Sequence, residues 1–183
     1  RMRVRNCIEL FMRKNNGVNS AYKRRILIID DSTLNRSFLS KMLDDEYDIF
    51  LAGNGLEAQN IVTSNWEKLS LIILDMDMPV MNGYEFLEWM KHAGFLGKIP
   101  VIAETIDEKE DENLHCLYAG ASDYLSKPYK LEIVKNRVAS VIRQKENANL
   151  LHAMKVDQLT GVYSNQYFNY QLQQEFQQNK GKD

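Results

Sequence analysis

Three carboxylates and one lysine stand where their types and spacing allow joint chemistry. Asp30 and Asp31 close the apolar run Ile26-Leu27-Ile28-Ile29, and Asp75 closes the run Leu71 to Leu74. Carboxylates at the ends of adjacent buried strands converge, and bare anions so placed repel one another. Such a cluster calls for a cation, and an oxygen-only donor set with room for water and phosphate suits Mg2+ or Mn2+ better than zinc. Thr105 lies just past a fourth strand-like segment, and Lys127 follows a fifth directly before Pro128. A lysine brings the positive charge needed to hold a phosphoryl group beside carboxylates, so that Asp75 can attack a phosphodonor. Two plainer readings stay open: Asp30 and Asp31 as an Asx turn into a helix, and Lys127 as a surface lysine.

The elements that must position these groups alternate along the chain. Ile26 to Ile29 is short, β-branched and apolar throughout, as a strand buried on both faces should be. Leu34, Phe38, Leu39, Met42 and Leu43 recur at helical spacing behind the caps Ser32 and Thr33. Ile49 to Ala52 reads as a strand, Leu56 to Thr63 as a helix behind Asn54-Gly55, and Leu71 to Leu74 as a strand. Tyr84 to Met90 is then helical, Val101 to Ala103 a strand, Asp107 to Tyr118 helical up to Gly120, and Ser122 to Leu125 the last strand. Five strands alternating with helices imply an α/β fold, a mostly parallel sheet covered on both faces, with function at the carboxyl ends of the strands. A helix from Tyr129 carries Leu131, Val134, Val138, Val141 and Ile142 on one face and extends past the domain.

Composition narrows the function classes. The 183 residues carry 23 Lys and Arg against 25 Asp and Glu, a formal net charge of -2, which leaves no basic footprint for direct nucleic-acid binding. No apolar run approaches the ~20 residues of a membrane helix. Cys7 and Cys116 lack metal or disulfide spacing, and His92, His115 and His152 lack metal-ligand spacing, so a reducing, cytoplasmic setting is expected. The chain opens Arg1-Met2-Arg3 with no signal-peptide core and reads as a piece of something longer. Val4-Arg5-Asn6 with Ile8, Phe11 and Arg13 lines up against Val134-Lys135-Asn136 with Val138, Val141 and Arg143. We therefore expect residues 1–22 to be the closing helix and linker of a preceding copy of the same domain.

The ordered motifs resemble the receiver domain of two-component response regulators over residues 23–143. The set comprises Ile-Leu-Ile-Ile-Asp-Asp-Ser at 26–32, Asp75-Met-Asp-Met-Pro79 with Met81-Asn-Gly-Tyr84, Pro100-Val-Ile-Ala-Glu-Thr105, Gly120-Ala-Ser-Asp-Tyr124 and Lys127-Pro128. The resemblance implies a flavodoxin-like, doubly wound five-stranded parallel sheet of order 2-1-3-4-5, here with an extended C-terminal helix. It implies that Asp75 is the phosphoacceptor and that Asp30, Asp31 and Asp75 hold Mg2+ (or Mn2+), together with the backbone carbonyl of Asp77. Thr105 is implied to bond the phosphoryl oxygens, Lys127 to pair with them, and the Lys127-Pro128 bond to be cis. Tyr124 is implied to rotate inward when Thr105 is drawn to the phosphoryl group, changing the face built by residues 107–142, through which a homodimer can form. A sensor histidine kinase or phosphotransfer protein is the implied donor. The sequence departs from the family at Ile106, expected to crowd the phosphate, and at Glu104, expected to alter the output face.

Asp157-Gln-Leu-Thr-Gly161 with Val162-Tyr163-Ser164-Asn165-Gln166-Tyr167-Phe168 is similar to the opening of GGDEF domains, which make cyclic di-GMP. Residues 157–183 then form the N-terminal fragment of such a domain, and 144–156 a helical linker. The fragment lacks the catalytic signature, so the chain itself is not expected to be an enzyme, although its parent can be a diguanylate cyclase. Ser164-Asn165-Gln166 stands where the family usually has Asn-Arg-Arg, which keeps open a non-catalytic output and a phosphorylation-independent interaction module. A haloacid-dehalogenase-like phosphatase competes through Leu74-Asp75-Met76-Asp77, but its nucleophile strand should come first in the chain.

Overall fold

The computed structural model of the chain describes residues 23–106 and 110–155. Five strands alternate with five α-helices: β1 (Arg24–Ile29), α1 (Thr33–Leu43), β2 (Tyr47–Ala52), α2 (Gly55–Asn65), β3 (Leu69–Asp75), α3 (Gly83–His92), β4 (Val101–Thr105), α4 (Glu110–Ala119), β5 (Asp123–Ser126) and α5 (Leu131–Lys155). All strand pairs are parallel and the order is β2-β1-β3-β4-β5. The α/β, flavodoxin-like reading and its strand order therefore hold. β1 and β3 lie side by side with Ile29 opposite Leu74, which brings the ends of the two strands together.

Strand parity divides the core. Leu27, Ile29, Ile72, Leu74, Val101 and Ala103 belong to one buried cluster with Ala58 and Val62 of α2, Phe86, Leu87 and Met90 of α3, and Cys116 of α4. The alternate residues Ile26, Ile28, Leu71, Ile73 and Ile102 are also fully buried, as are Leu39 and Leu43 of α1 and Val134 and Val138 of α5. Burial on both faces is why these strands read as continuous apolar runs rather than as alternating ones.

The helices begin where side chains meet their free N–H groups. Ser32 caps α1 by accepting from the Asn35 N–H, and Asn54 caps α2 by accepting from the Glu57 N–H at 3.0 Å. Asn82 and Glu85 form a reciprocal capping box at the start of α3, with distances of 3.0 and 2.9 Å. Between β3 and α3 the chain turns sharply, with Val80 in the left-handed region at φ 73°. Gly83 then brings the helix start against the strand end, where an added Cβ would lie 2.7 Å from the Asp75 carbonyl oxygen.

Several boundaries differ from expectation. The last strand is Asp123–Ser126, one residue later than expected. The C-terminal helix starts at Leu131, because its first turn closes with the Ile133 and Val134 N–H groups donating to the Lys130 carbonyl. Tyr129 is spent instead on a side-chain contact described below. Helix α4 is described from Glu110, and its expected start at Asp107 lies outside the described residues, as do segments 1–22 and 157–183. The compact unit that contains the sheet ends at Val141. No helix among the described residues is long and apolar enough to cross a membrane.

Candidate functional site

The site lies where β1, β3, β4 and β5 end. Asp30, Asp31 and Asp75 each offer a carboxylate oxygen, and these atoms all lie within 4.8 Å of one another. Asp30 and Asp75 are buried, whereas Asp31 is exposed. Local chain geometry fixes Asp30 closely. Its Oδ1 accepts from the Ser32 N–H at 2.6 Å, its Oδ2 accepts from the Asn35 amide at 2.9 Å, and Arg36 donates to its backbone carbonyl. The Asx turn proposed for this segment and the acidic cluster thus coexist.

Lys127 completes the group. Its ammonium lies 2.9 Å from Asp75 Oδ2, 3.1 Å from Asp30 Oδ2 and 3.4 Å from Glu104 Oε2. The Lys127 N–H donates to the Thr105 carbonyl at 2.9 Å, and the Lys127-Pro128 peptide bond is cis. This is not a surface lysine. The Asp77 N–H donates to Asp75 Oδ1 at 3.4 Å, which ties the second residue after the strand back to its last carboxylate.

Glu104 and Thr105 are adjacent on β4, so their side chains leave opposite faces of the sheet. The Thr105 hydroxyl is buried and donates to Asn113 Oδ1 of α4 at 3.1 Å. Glu104 pairs in register with Asp75 and meets Lys127 and the Tyr129 hydroxyl, which donates to its Oε2. The expectation that Glu104 alters the output face is therefore corrected: parity turns it into the carboxylate cluster. Ile106 is 65% exposed and lines, with Asn35, Phe38, Lys127, Pro128 and Tyr129, a shallow hollow of about 490 Å³. Tyr124 is half-buried, with the Arg137 guanidinium 5.0 Å from its ring centroid.

Burial and charge set the protonation of these groups. Burial, reinforced by the charge of Asp30, pushes the Asp75 carboxyl up despite Lys127. Burial acts upward on Asp30 too, but hydrogen bonds from Asn35, Lys127 and the Ser32 N–H outweigh it and hold that carboxyl low. Burial pushes Glu104 up to about 8, overcoming Tyr129 and Lys127. Burial alone would lower Lys127, yet Glu104, Asp75 and Asp30 together raise it, so it stays an ammonium.

The donor set from Asp30, Asp31 and Asp75 is all oxygen, with two buried members and one exposed to water. That chemistry fits a small hard divalent ion and does not fit a soft metal.

The family model described as the response regulator receiver domain matches residues 26–139. The chain belongs to that family. It is 31% identical over 152 residues to the two-component response regulator ARR5 of Arabidopsis thaliana, covering 76% of this chain and 82% of that protein. It is 37% identical over 127 residues to a Vibrio cholerae protein named "Probable cyclic di-GMP phosphodiesterase", covering 69% of this chain but only 28% of that protein. A solved response regulator receiver domain protein from Clostridium thermocellum superposes with a TM-score of 0.62 at 26% identity, covering 68% of this chain and 98% of that one.

Three receiver residues around the site escaped sequence reasoning in their roles. Asn35 sits in the first turn of α1, where its amide reaches back to Asp30. Tyr129 carries a hydroxyl two residues after Lys127, a position read only as the start of a helix. Glu104 was legible as a charge inside an apolar strand, but its partners were not, because the register that sets it beside Asp75 is a property of the folded sheet.

Proposed function

We propose that this receiver is a phosphoacceptor: Asp75 takes a phosphoryl group in a Mg2+-dependent (or Mn2+-dependent) reaction and thereby controls a C-terminal output of the GGDEF type. The observation that carries this reading is the Lys127 ammonium 2.9 Å from Asp75 and 3.1 Å from Asp30. An Asp75 oxygen attacks phosphorus, a new O–P bond forms, and the phosphorus bond to the donor's nitrogen or acyl oxygen breaks with its electron pair leaving on the donor. Lys127 neutralises charge on the transferred group, and Thr105 exchanges its bond to Asn113 for a phosphoryl oxygen. A divalent ion held by Asp30, Asp31, Asp75 and the Asp77 carbonyl would supply Lewis-acid stabilisation of phosphoryl charge. Tyr124 then turns into the space left by Thr105, and the face of residues 107–142, of which 107–109 lie outside the described residues, associates with a partner or a second copy.

The donor in this reading is a sensor histidine kinase or phosphotransfer protein, in the cytoplasm. The GGDEF output rests on the sequence of residues 157–168 and accords with a relative whose name refers to cyclic di-GMP. Incubating the chain with acetyl phosphate and Mg2+ tests the proposal. A mass gain of one phosphoryl group, lost in Asp75→Asn, supports it. Turnover of varied phosphate esters to free phosphate would favour a phosphatase, and no reaction would favour a phosphorylation-independent module.

A further inference from the structure

Glu104 is the one fully buried carboxyl in the site to which the phosphoacceptor reading gives no task. It is 0% exposed, and its Oε1 has no hydrogen-bond partner among the described residues. Burying a carboxyl with an unmet oxygen is unfavourable, and an apolar residue on this strand would avoid that cost. The retained interactions lie on the other oxygen. Oε2 accepts from the Tyr129 hydroxyl and stands 3.4 Å from the Lys127 ammonium.

The sheet order explains what those contacts accomplish. Lys127 follows β5, while its partners Asp75 and Asp30 belong to β3 and follow β1, so its flexible stem must cross β4. A lysine stem loses considerable rotamer freedom when held in one extended geometry. Glu104 stands on the strand being crossed, in register with Asp75, where its Oε2 meets the ammonium partway. Tyr129, stacked on Phe38 with ring centroids 6.4 Å apart, fixes the direction of that carboxyl.

We propose that Glu104, oriented by the Tyr129 hydroxyl, is a positioning residue that holds the Lys127 ammonium over Asp75 before a phosphoryl group arrives. Its consequence for rate rests on the phosphoacceptor reading, whereas the restraint on Lys127 does not.

Two measurements on the full chain test it. In the nitrogen-15-labelled protein, the Lys127 ammonium, assigned by its loss in Lys127→Ala, gives an exchange-protected proton signal. Glu104→Leu and Tyr129→Phe each broaden that signal away. In the second measurement, both variants lower the initial rate of phosphate uptake from acetyl phosphate by about fivefold, the scale of one typical hydrogen bond. The Mg2+ concentration for half-maximal rate and the final phosphate stoichiometry stay unchanged, and neither variant slows the reaction further in a Lys127→Ala background. An ammonium signal that persists in both variants overturns the proposal, as do rate losses that multiply with Lys127→Ala. A wild-type chain that takes up no phosphate defeats the phosphoacceptor reading, and the ammonium signal then still decides the role of Glu104.

Discussion

At the scale of single residues, the site is a group of acids that fold together against their own repulsion, with one ammonium between them. Asp75 titrates above its ordinary value because burial and Asp30 disfavour its charge, so folding works against the ionised form. Asp75→Asn therefore raises the stability of the metal-free protein at neutral pH, read as a higher urea midpoint with an unchanged slope. A fall in that midpoint would mean that Lys127 already compensates Asp75 in full. Glu104 gives a pH signature of its own. The folded state holds its proton up to about 8, against an ordinary value of 4.5, so the contribution of Glu104 to stability is greatest below about 4.5, declines as pH rises toward 8 and then levels off. Glu104→Gln flattens this decline, and urea titrations across the window check it. The aspartates were legible in the sequence because they close apolar runs, and Lys127 because it directly precedes Pro128 after the last strand. The task of Glu104 was not, since a linear pattern does not say which sheet face meets Lys127 until strand order and register are known.

At the scale of elements, apolar runs located four of the five strands, the fifth being the more polar Asp123–Ser126, and the caps Ser32 and Asn54 located two helix starts. The boundaries that moved are those where tertiary contacts decide, as at Tyr129, whose hydroxyl goes to Glu104 rather than into a first helical turn. A tight backbone contact lies at the entry of α3 beneath the end of β3. There the Gly83 N–H donates to the Met76 carbonyl at 3.1 Å, and an added Cβ would lie 2.7 Å from both the Asp75 oxygen and the Met76 Cα. These are backbone atoms that cannot swing aside. Gly83→Ala is expected to destabilise the chain by about 2 kcal/mol and to slow phosphate uptake, because relief of the clash displaces the strand end that carries Asp75. Unaltered stability would show that the β3-to-α3 turn adapts freely.

At the scale of the whole molecule, the family match over 26–139 and the compact unit ending at Val141 agree on one receiver, beyond which α5 continues to Lys155. A fragment of residues 23–143 is accordingly expected to unfold in one cooperative transition and to take up phosphate at the rate of the full chain. A noncooperative transition would show that the extended helix is part of the folding unit. The repeat near the N-terminus and the GGDEF-like opening after Val156 fall outside the described residues, so the sequence alone speaks there. The account turns on one covalent event at one side chain. After incubation with acetyl phosphate and Mg2+, borohydride reduction converts an acyl phosphate to a stable alcohol that peptide sequencing by mass spectrometry can locate. The account predicts this mark at residue 75 and nowhere else; a mark on Asp30, Asp31 or Asp77, or none at all, would contradict it.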